Sequence, residues 1–382
     1  MYQLLEDILV VDFSQFLSGP SAGLRMADMG ARVIKVERET VGDICRVLYV
    51  SDVKIDGDES TIFHAINRNK ESYCADIKDA AALDRVKKLV AKADVVIHNF
   101  RPGVMQRLGL DYDRVKALNP AIVYGEISGY GDEGEWKELP GQDLLLQAVS
   151  GAAYLSGDQK GIPVPMGVAV VDIIAGTQLV QGLLAALLGR MQTGLGSLVQ
   201  VSMMESILDF QFDALTAFLN KNDRTSPAAA AHAIRSCGPA TQGLFKTRDD
   251  FIAIGYTSVA ELYRVLQIPD QAAASANAVK TVLNKAFVEQ TTAVWLNLLR
   301  TAGIECAEVY DYSRLLASEL YQSAAADQRV HYGNKTIRTT RCPARVDGAL
   351  MVSPRGAPFL GAHNEAIDAA FGLYASGTRT DL

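Results

Sequence analysis

Short apolar runs alternate with helical stretches in the first third of the chain. Four apolar runs are typical of strands, at residues 8–11, 32–36, 94–97 and 121–124. Helical patterns around residues 22–29 and 80–93 lie between them. Parallel strands need a crossover connection, usually a helix, whereas antiparallel strands can be joined by a tight turn. The pattern therefore predicts an α/β fold with a parallel sheet.

The composition changes after residue 222. Residues 222–231 are rich in Ser, Pro and Ala, which favours a linker, and the signals of a smaller α+β unit follow. From about residue 330 the pattern becomes strand-like and then ends in a short helix. Since 382 residues exceed what one compact core usually holds, we expect more than one domain. The predicted segments are a large domain at 1–222, a small α+β domain at 223–329, and a C-terminal segment at 330–382.

Charge and cysteine usage exclude several classes of protein. The net charge of -7 argues against a nucleic-acid-binding protein, which would carry a basic stripe. The five cysteines are scattered, with no CxxC pair or Cys/His cluster, which predicts reduced thiols and no metal site. The N-terminus has no basic region before an apolar stretch, so no signal peptide is predicted. We therefore expect a cytoplasmic protein.

One apolar run, Val168 to Leu188, raises the question of a membrane span. It contains Asp172 and two glutamines, and Gly189-Arg190 follows it. A membrane-spanning helix needs about twenty residues with few polar side chains. The run is therefore interpreted as a buried core helix, over about residues 173–190, and no membrane partner is expected.

The first strand, turn and helix resemble a dinucleotide-binding unit. Glu37 ends the second strand, where such folds place the acid that binds a ribose hydroxyl. The turn, however, carries Gly19-Pro20-Ser21-Ala22-Gly23, without the GxGxxG spacing, and Pro20 removes one backbone donor. We therefore predict a Rossmann-like topology without a nicotinamide nucleotide site, and interpret Glu37 as a polar strand end.

Asp172 is the most unusual acidic residue, because two apolar residues flank it on each side. It stands where the long apolar helix is predicted to begin. An aspartate at this place is often an N-cap, whose carboxylate accepts hydrogen bonds from the first free amides of the helix. The alternative is a carboxylate nucleophile at the start of a helix in an apolar pocket. The two interpretations are compatible with each other.

Four segments, in order along nearly the whole chain, carry a resemblance to a known family. They are Val11-Asp12-Phe13 with Ser18-Gly19-Pro20 and Gly30 to Arg38, Asn69 to Lys78, Ala93 to Gly103 with Arg107-Leu108-Gly109 and Asn119-Pro120, and Leu360-Gly361-Ala362-His363. The block Asn99-Phe100-Arg101-Pro102-Gly103 is the most specific. With these segments the chain resembles the class III CoA-transferases, which include carnitine–CoA transferases and α-methylacyl-CoA racemases.

The resemblance implies a fold and a set of substrates. It implies a Rossmann-like large domain that the C-terminal segment completes, with the small domain inserted between, and a homodimer of two interlocked subunits. Coenzyme A, as acyl-CoA, would be a substrate, with an acyl-CoA donor and a small carboxylic acid as acceptor. No metal or prosthetic group would be required.

The resemblance also implies roles for individual residues. Asp172 would attack the acyl-CoA carbonyl, giving an aspartyl mixed anhydride and then an aspartyl-CoA thioester. The residues that would line the CoA site are Leu17, Ser18, Arg38, Ala75, Lys78, Asn99, Phe100, Arg101 and Arg107. Gln142 and Asp143 would lie beside the reacting group. Asp143 matches an acidic site residue of the family, but it could equally begin a helix after Pro140-Gly141.

Gln142 leaves alternatives open. The racemases carry a histidine at this position and several transferases a tyrosine, and glutamine cannot take up a proton at neutral pH. Isomerisation of an acyl-CoA is therefore disfavoured, and CoA binding without turnover is a further alternative. The small domain shows only Cys237-Gly238-Pro239 and Gly255 where oxalate-using members carry a glycine-rich loop. His232, Arg235 and Tyr256 are candidates for substrate selection.

Overall fold

The computed structural model describes residues 4–48, 53–55, 59–157, 162–220, 240–269, 275–352 and 354–373. The chain divides into two compact units. The first unit comprises Met1–Ser156, Val164–Gln211 and Ala326–Leu382, and the second comprises Gly157–Pro163 and Phe212–Ala325. The predicted domain boundaries, 222/223 and 329/330, stay a prediction, and the predicted linker at 222–231 lies outside the described residues.

The first unit is built on a six-stranded parallel sheet. Its strands, including three two-stranded antiparallel pairs outside the main sheet, are β1 (Leu9–Asp12), β2 (Arg32–Glu37), β3 (Lys54–Ile55), β4 (Glu59–Ser60), β5 (Glu71–Cys74), β6 (Val95–His98), β7 (Val123–Ser128), β8 (Leu198–Ser202), β12 (Asp327–Tyr332), β13 (Lys335–Thr340), β14 (Arg345–Val346) and β15 (Ala349–Leu350). The order in the main sheet is β5-β2-β1-β6-β7-β8, and every pair in it is parallel. This confirms the predicted mixed α/β fold with a parallel sheet.

Helices cover both faces of this sheet, as a parallel sheet requires. They are α1 (Ser18–Asp28), a 3-10 helix (Ile44–Arg46), α2 (Thr61–Ile66), α3 (Ala80–Val90), α4 (Val104–Leu108), α5 (Tyr112–Leu118), α6 (Asp143–Val149), α7 (Ala152–Leu155), α8 (Val170–Thr193), α9 (Met203–Phe210) and α16 (Asn364–Phe371). One apolar core contains residues of α3, α5 and α16, and the other contains residues of α1, α8 and α9.

The C-terminal segment packs on the edge strand β5. The Tyr73 hydroxyl donates to the Asp368 carboxylate at 2.8 Å. Asn364 accepts from the Cys74 backbone amide at 2.8 Å and donates to its carbonyl at 2.8 Å. These bonds join residues about 290 positions apart in sequence, so the C-terminal helix and the N-terminal strands belong to one unit.

Helix α8 begins at Val170, three residues before its predicted start, and ends at Thr193 before Gly194, whose φ is 72°. By length and composition it could cross a membrane. One face is nevertheless buried in the first unit, through seven residues that include Val171, Leu179 and Leu183. Asp172 is the third residue of the helix, and Ala169 is its N-cap. The interpretation of Asp172 as an N-cap is therefore wrong.

The second unit contains a three-stranded antiparallel sheet and helices. Its elements are α10 (Phe212–Leu219), β9 (Gly243–Lys246), β10 (Phe251–Ile254), α11 (Val259–Val265), α12 (Ala276–Phe287), α13 (Thr292–Thr301), β11 (Cys306–Glu308), α14 (Tyr312–Ala317) and α15 (Glu319–Ala324). The strand order is β11-β10-β9. Phe245, Ile252, Leu283, Phe287 and Trp295 lie in its apolar core.

Candidate active site

The predicted site residues follow the carboxyl ends of four adjacent strands. Leu17 and Ser18 come after β1, Arg38 after β2, Ala75 and Lys78 after β5, and Asn99, Phe100, Arg101 and Arg107 after β6. Because the strands are parallel, these residues lie at one edge of the sheet. β2 and β5 lie on one side of β1, and β6, β7 and β8 lie on its other side. The order in which strands are added to the sheet therefore reverses between the neighbours β1 and β6. Ligands of open α/β sheets bind in the crevice at such a reversal.

Asn99 connects the two sides of this crevice. Its amide nitrogen donates to the Gln15 carbonyl at 2.7 Å and to the Ser18 hydroxyl at 3.1 Å. Its Oδ1 accepts from the Gln15 backbone amide at 2.8 Å. The structure therefore brings two of the predicted CoA-site residues, Ser18 and Asn99, into direct contact.

Asp172 reaches the same place because α8 packs closely on α1. A Cβ atom added at Gly176 would lie 2.2 Å from the Ser21 Oγ and 2.6 Å from the Ser18 carbonyl oxygen. Glycine therefore allows the two helices to approach at this point. The hydroxyl and the backbone amide of Ser18, the first residue of α1, lie close to the partly buried carboxylate of Asp172 and act as donors that lower its pKa. Asp172 thus lies at the N-terminus of α1, where the free amides and the helix dipole favour an anion.

Asp143 caps the helix that carries Asp172. Its Oδ1 accepts from the backbone amides of Val171 at 2.7 Å and Asp172 at 3.2 Å. The Gln147 side chain donates to Oδ2 at 2.5 Å and so fixes the carboxylate. The residue also begins α6, as one of the two interpretations of Asp143 predicted. The capping role considered for Asp172 is therefore performed by Asp143, from another helix.

The surroundings of Asp172 change its acidity. Burial raises its pKa to about 6, the charge of Asp143 adds to this increase, and the hydrogen bonds from Ser18 oppose it. The carboxylate is therefore ionised at neutral pH but is less well solvated than an exposed aspartate. A poorly solvated carboxylate beside fixed donors is suited to nucleophilic attack on a carbonyl carbon.

Comparison with known proteins assigns the chain to a family. Residues 5–364 match the family model described as CoA-transferase family III. This chain belongs to CoA-transferase family III. The predicted resemblance to the class III CoA-transferases is thereby confirmed.

Relatives within the family act on different acids. The chain is 28% identical over 378 residues to the human succinyl-CoA:glutarate CoA-transferase, covering 95% of this chain and 85% of that protein. It is 31% identical over 361 residues to the acetyl-CoA:oxalate CoA-transferase of Acetobacter aceti, covering 90% and 89%. The crystal structure of a CAIB/BAIF family protein from Brucella suis superposes with a TM-score of 0.84 at 25% identity, covering 97% of this chain and all of that one.

Four cationic side chains of this family III protein lie exposed around the crevice. They are Arg38, Lys78, Arg101 and Arg107. None of the four makes an ion pair with any residue that the structure describes. On a protein of net charge -7, these cations are available to an anionic ligand such as the phosphates of coenzyme A.

A cavity of about 370 Å³ adjoins Phe100 and Arg101 at the ends of β6, β7 and β8. Gln200 donates there to Glu126 at 2.7 Å and to Asp132 at 2.6 Å. The sequence did not single out these acids, because nothing in their local pattern differs from that of surface residues. No group of three or more His, Cys, Asp or Glu side chains in the described ranges could hold a metal ion.

Glu37 forms hydrogen bonds within the protein, which argues against a dinucleotide-binding site. It is buried, and its carboxylate accepts two hydrogen bonds from Arg46, both at 2.9 Å, and one from the Ser72 hydroxyl at 2.7 Å. These donors hold its pKa down at about 2, against the effect of burial. Because its acceptors are occupied, Glu37 has no role for a ribose hydroxyl here.

The structure describes some of the remaining candidate residues and not others. Gln142 is exposed and occupies the N-cap position of α6, without a side-chain bond to the helix. Tyr256 lies in the second unit and is 78% exposed. His232, Arg235 and the Cys237-Gly238-Pro239 stretch lie outside the described residues.

Proposed function

We propose that this enzyme transfers coenzyme A from an acyl-CoA to a free carboxylic acid, with Asp172 as the nucleophile. The observation that carries the proposal is the placement of Asp172. Its carboxylate lies at the N-terminus of α1, beside the Ser18 hydroxyl and backbone amide that lower its pKa, and has a pKa of about 6 because of burial and the charge of Asp143. Family membership supports the reaction class, and the exposed cations of the crevice support CoA as the ligand.

The first half of the reaction releases the donor acid. The Asp172 carboxylate attacks the thioester carbonyl, the C–S bond breaks, and a mixed anhydride and the CoA thiolate result. The thiolate then attacks the aspartyl carbonyl of the anhydride. The C–O bond breaks, the donor acid leaves as a carboxylate, and CoA is bound to Asp172 as a thioester.

The second half repeats these steps in reverse with the acceptor. The acceptor carboxylate attacks the aspartyl thioester and expels the CoA thiolate, giving a second mixed anhydride. The thiolate attacks the acyl carbon of the acceptor, which yields the new acyl-CoA and restores the Asp172 carboxylate. No net proton is taken up or released, so the reaction needs no separate acid or base.

The protein residues bind and orient the reactants. Arg38, Lys78, Arg101 and Arg107 would bind the phosphates of CoA, with Ala75 and Phe100 beside the nucleotide. Leu17 and Ser18 would lie near the thiol end, since Ser18 contacts Asp172. When Asp172 becomes acylated it loses its charge, and the two Ser18 donors become available to stabilise the oxyanion that forms at its carbonyl.

The relatives suggest the class of acids. Two of them are a succinyl-CoA:glutarate and an acetyl-CoA:oxalate CoA-transferase. We propose a succinyl-CoA or acetyl-CoA donor and a small or medium carboxylic acid as the acceptor. Oxalate is disfavoured because the sequence lacks the glycine-rich loop that oxalate-using members carry.

We further propose a cytoplasmic homodimer with interlocked subunits and an inserted small domain. The support comes from α8, whose face away from the core is apolar and exposed. Ile173 is 41%, Leu188 65% and Met191 83% exposed in the single chain. An apolar helix face of this length, rimmed by polar residues, is typical of a surface that a partner covers. The proposed partner is a second copy of this chain.

A transfer assay by mass spectrometry tests the proposed function. The protein would be mixed with several acyl-CoA donors and a pool of carboxylic acids, beside an Asp172→Asn variant. Glu205→Gln is the matched control, since Glu205 is also the third residue of a helix in the first unit. We expect new acyl-CoA masses with the wild type and with Glu205→Gln, and none with Asp172→Asn.

Other outcomes would contradict the proposal. Incorporation of solvent deuterium into an acyl-CoA without any acceptor would indicate isomerisation. CoA binding without transfer from any donor would indicate a binding protein. Transfer that survives in Asp172→Asn would assign the nucleophile to another residue.

A further inference from the structure

The loop after β1 is held in a conformation that its sequence does not favour. Phe16 has a φ of 64°, and its ring is 49% exposed. A positive φ is unfavourable for a bulky side chain and persists only where the surrounding structure enforces it. The loop ends two residues later at Ser18, whose hydroxyl and backbone amide are the donors that lower the pKa of Asp172.

Asp43 and Cys45 bind both backbone groups of Phe16. The Asp43 Oδ1 accepts from the Phe16 amide at 3.2 Å and from the Cys45 amide at 3.0 Å. The Cys45 thiol donates to the Phe16 carbonyl at 3.3 Å. The turn that contains the 3-10 helix therefore fixes Phe16 from one side, while Asn99 fixes Gln15 from the other.

Asp43 is in turn held by a buried lysine. The Lys35 ammonium lies 2.8 Å from the Asp43 Oδ2, and neither side chain is accessible to solvent. Lys35 also donates to the Ser14 carbonyl at 2.7 Å, so it contacts the loop directly. Burial alone would lower the pKa of Lys35, but the carboxylates of Asp43, Asp12 and Glu37 raise it above its usual value. Lys35 therefore stays charged beside Asp43.

We infer that Asp43 is a positioning residue of the active site: paired with Lys35, it fixes the backbone of Phe16 and thereby directs the Ser18 donors at Asp172. The inference rests on the proposed function of Asp172. Removing one partner of a buried ion pair leaves an uncompensated charge in the interior, which is unfavourable. While both partners are present, Asp43 and Lys35 are therefore held against each other. Nothing requires Asp43 to touch a substrate.

A change in the pKa of Asp172 would reveal this positioning role of Asp43. The groups that act on the pKa of Asp172 are the carboxylate of Asp143 from α6 and the two Ser18 donors from α1. The charge of Asp172 in turn raises the pKa of the Cys45 thiol, which lies on the 3-10 helix. Cys45 is neutral, since burial raises its pKa to about 12. Because the Ser18 hydrogen bonds lower the pKa of Asp172, a displaced loop would raise it.

The test compares two variants that each break a buried ion pair at opposite ends of α1. Asp43→Asn removes the charge beside Lys35. Asp28→Asn, at the last residue of the helix, removes the partner of Arg68, 2.8 Å away and equally inaccessible. We expect Asp43→Asn to lower kcat about tenfold or more, with KM for acyl-CoA changed less than about threefold, and to shift the acidic limb of the pH–rate profile to higher pH.

Asp28→Asn should lower the melting temperature without either kinetic change. The same kinetic changes in both variants, or in neither, would overturn the inference. Cys45→Ala covers the case in which Asp43→Asn does not fold, since it removes only the thiol that donates to Phe16. Cys45→Ala should also shift the acidic limb of the pH–rate profile to higher pH, by less than Asp43→Asn does. An unchanged acidic limb in Cys45→Ala would count against the inference.

A second measurement separates this inference from the proposed function. If the wild type transfers no CoA, the proposed function fails, but amide hydrogen exchange still reports the loop. Residues 13–18 should then exchange faster in Asp43→Asn, or in Cys45→Ala, than in the wild type or Asp28→Asn. Equal exchange in all of them would show that Asp43 does not position the loop.

Discussion

Asp172 lies at the N-termini of two helices, and this position sets its acidity. It is the third residue of α8, and the hydroxyl and backbone amide of Ser18, the first residue of α1, are donors that lower its pKa. Burial and the charge of Asp143 raise its pKa to about 6 despite these donors. A nucleophile must be ionised, so its protonated fraction governs the reaction at low pH.

The first prediction concerns pH. We expect kcat/KM to be constant near neutral pH, to be half-maximal near pH 6, and to fall about tenfold per pH unit below that. A pH–rate profile in buffers of constant ionic strength measures this. Half-maximal activity near pH 4, the value for an ordinary aspartate, would contradict the assigned environment of Asp172.

The second prediction concerns Asp143. Asp143→Asn removes the negative charge but keeps an oxygen that can accept from the Val171 amide, so the cap on α8 should persist. Because the charge of Asp143 raises the pKa of Asp172, the acidic limb should move to lower pH. Asp143→Ala is the control: it should also lose the cap, at a cost of about 1 kcal/mol of stability. A limb that stays in place in both variants would refute the coupling.

The sequence predicted some site residues and missed others for a physical reason. Ser18 and Asn99 were found because they stand in motifs of the family. Asp43 and Lys35 were not, because their significance comes from burial and from a contact that no local pattern reports. An isolated lysine inside a strand otherwise made of apolar residues, as in Val33-Ile34-Lys35-Val36, is the signal that could have revealed the buried pair.

Among the elements, the packing of α8 on α1 determines where Asp172 lies. Gly176 makes the contact with α1, where a Cβ would lie 2.2 Å from the Ser21 Oγ. Gly189 is on the same helix, and a Cβ there would meet nothing within 4 Å. The two glycines therefore form a matched pair in which only one supports the contact between helices.

The third prediction uses this pair. Gly176→Ala should force the helices apart, destabilise the protein by about 1–3 kcal/mol and lower kcat. Gly189→Ala should stabilise it by up to about 1 kcal/mol, since alanine loses less backbone entropy in a helix, with kcat unchanged. Thermal unfolding and a transfer assay measure both effects. Equal responses at the two positions would contradict the described contact.

The inner strands of the sheet were predicted more accurately than its edge strand β5. β1, β2 and β6 are inner strands whose apolar runs predicted them within about two residues. β5 was missed, because this edge strand is made of Glu-Ser-Tyr-Cys and has no apolar run. The start of α8 was placed three residues late, because its cap comes from Asp143, 29 residues before Asp172, and not from a neighbouring residue.

At the scale of the whole molecule, the exposed apolar face of α8 requires an explanation. Met191 and Leu188 are 83% and 65% exposed in the single chain. The parallel sheet could be predicted from the order of the strand and helix signals. The proposed subunit arrangement could not be derived from periodicity, because a helix that is apolar on most sides has the same pattern in a core, a membrane or an interface.

The fourth prediction concerns this face. Met191→Glu should weaken the proposed homodimer and shift the sedimentation coefficient towards that of the monomer, because a charge would be buried in the interface. Lys88→Gln is the control, since it changes the net charge by the same amount on the exposed side of α3. A wild type that sediments as a monomer would contradict the proposed dimer.

An isotope measurement can show whether Asp172 forms a covalent bond with the substrates. In the proposed reaction, one oxygen of the acceptor carboxylate remains on Asp172 after the mixed anhydride breaks down. Turnover with an ¹⁸O-labelled acceptor should therefore place ¹⁸O in the peptide that contains Asp172, as mass spectrometry would show. Full transfer activity with no ¹⁸O in that peptide would contradict the proposed mechanism.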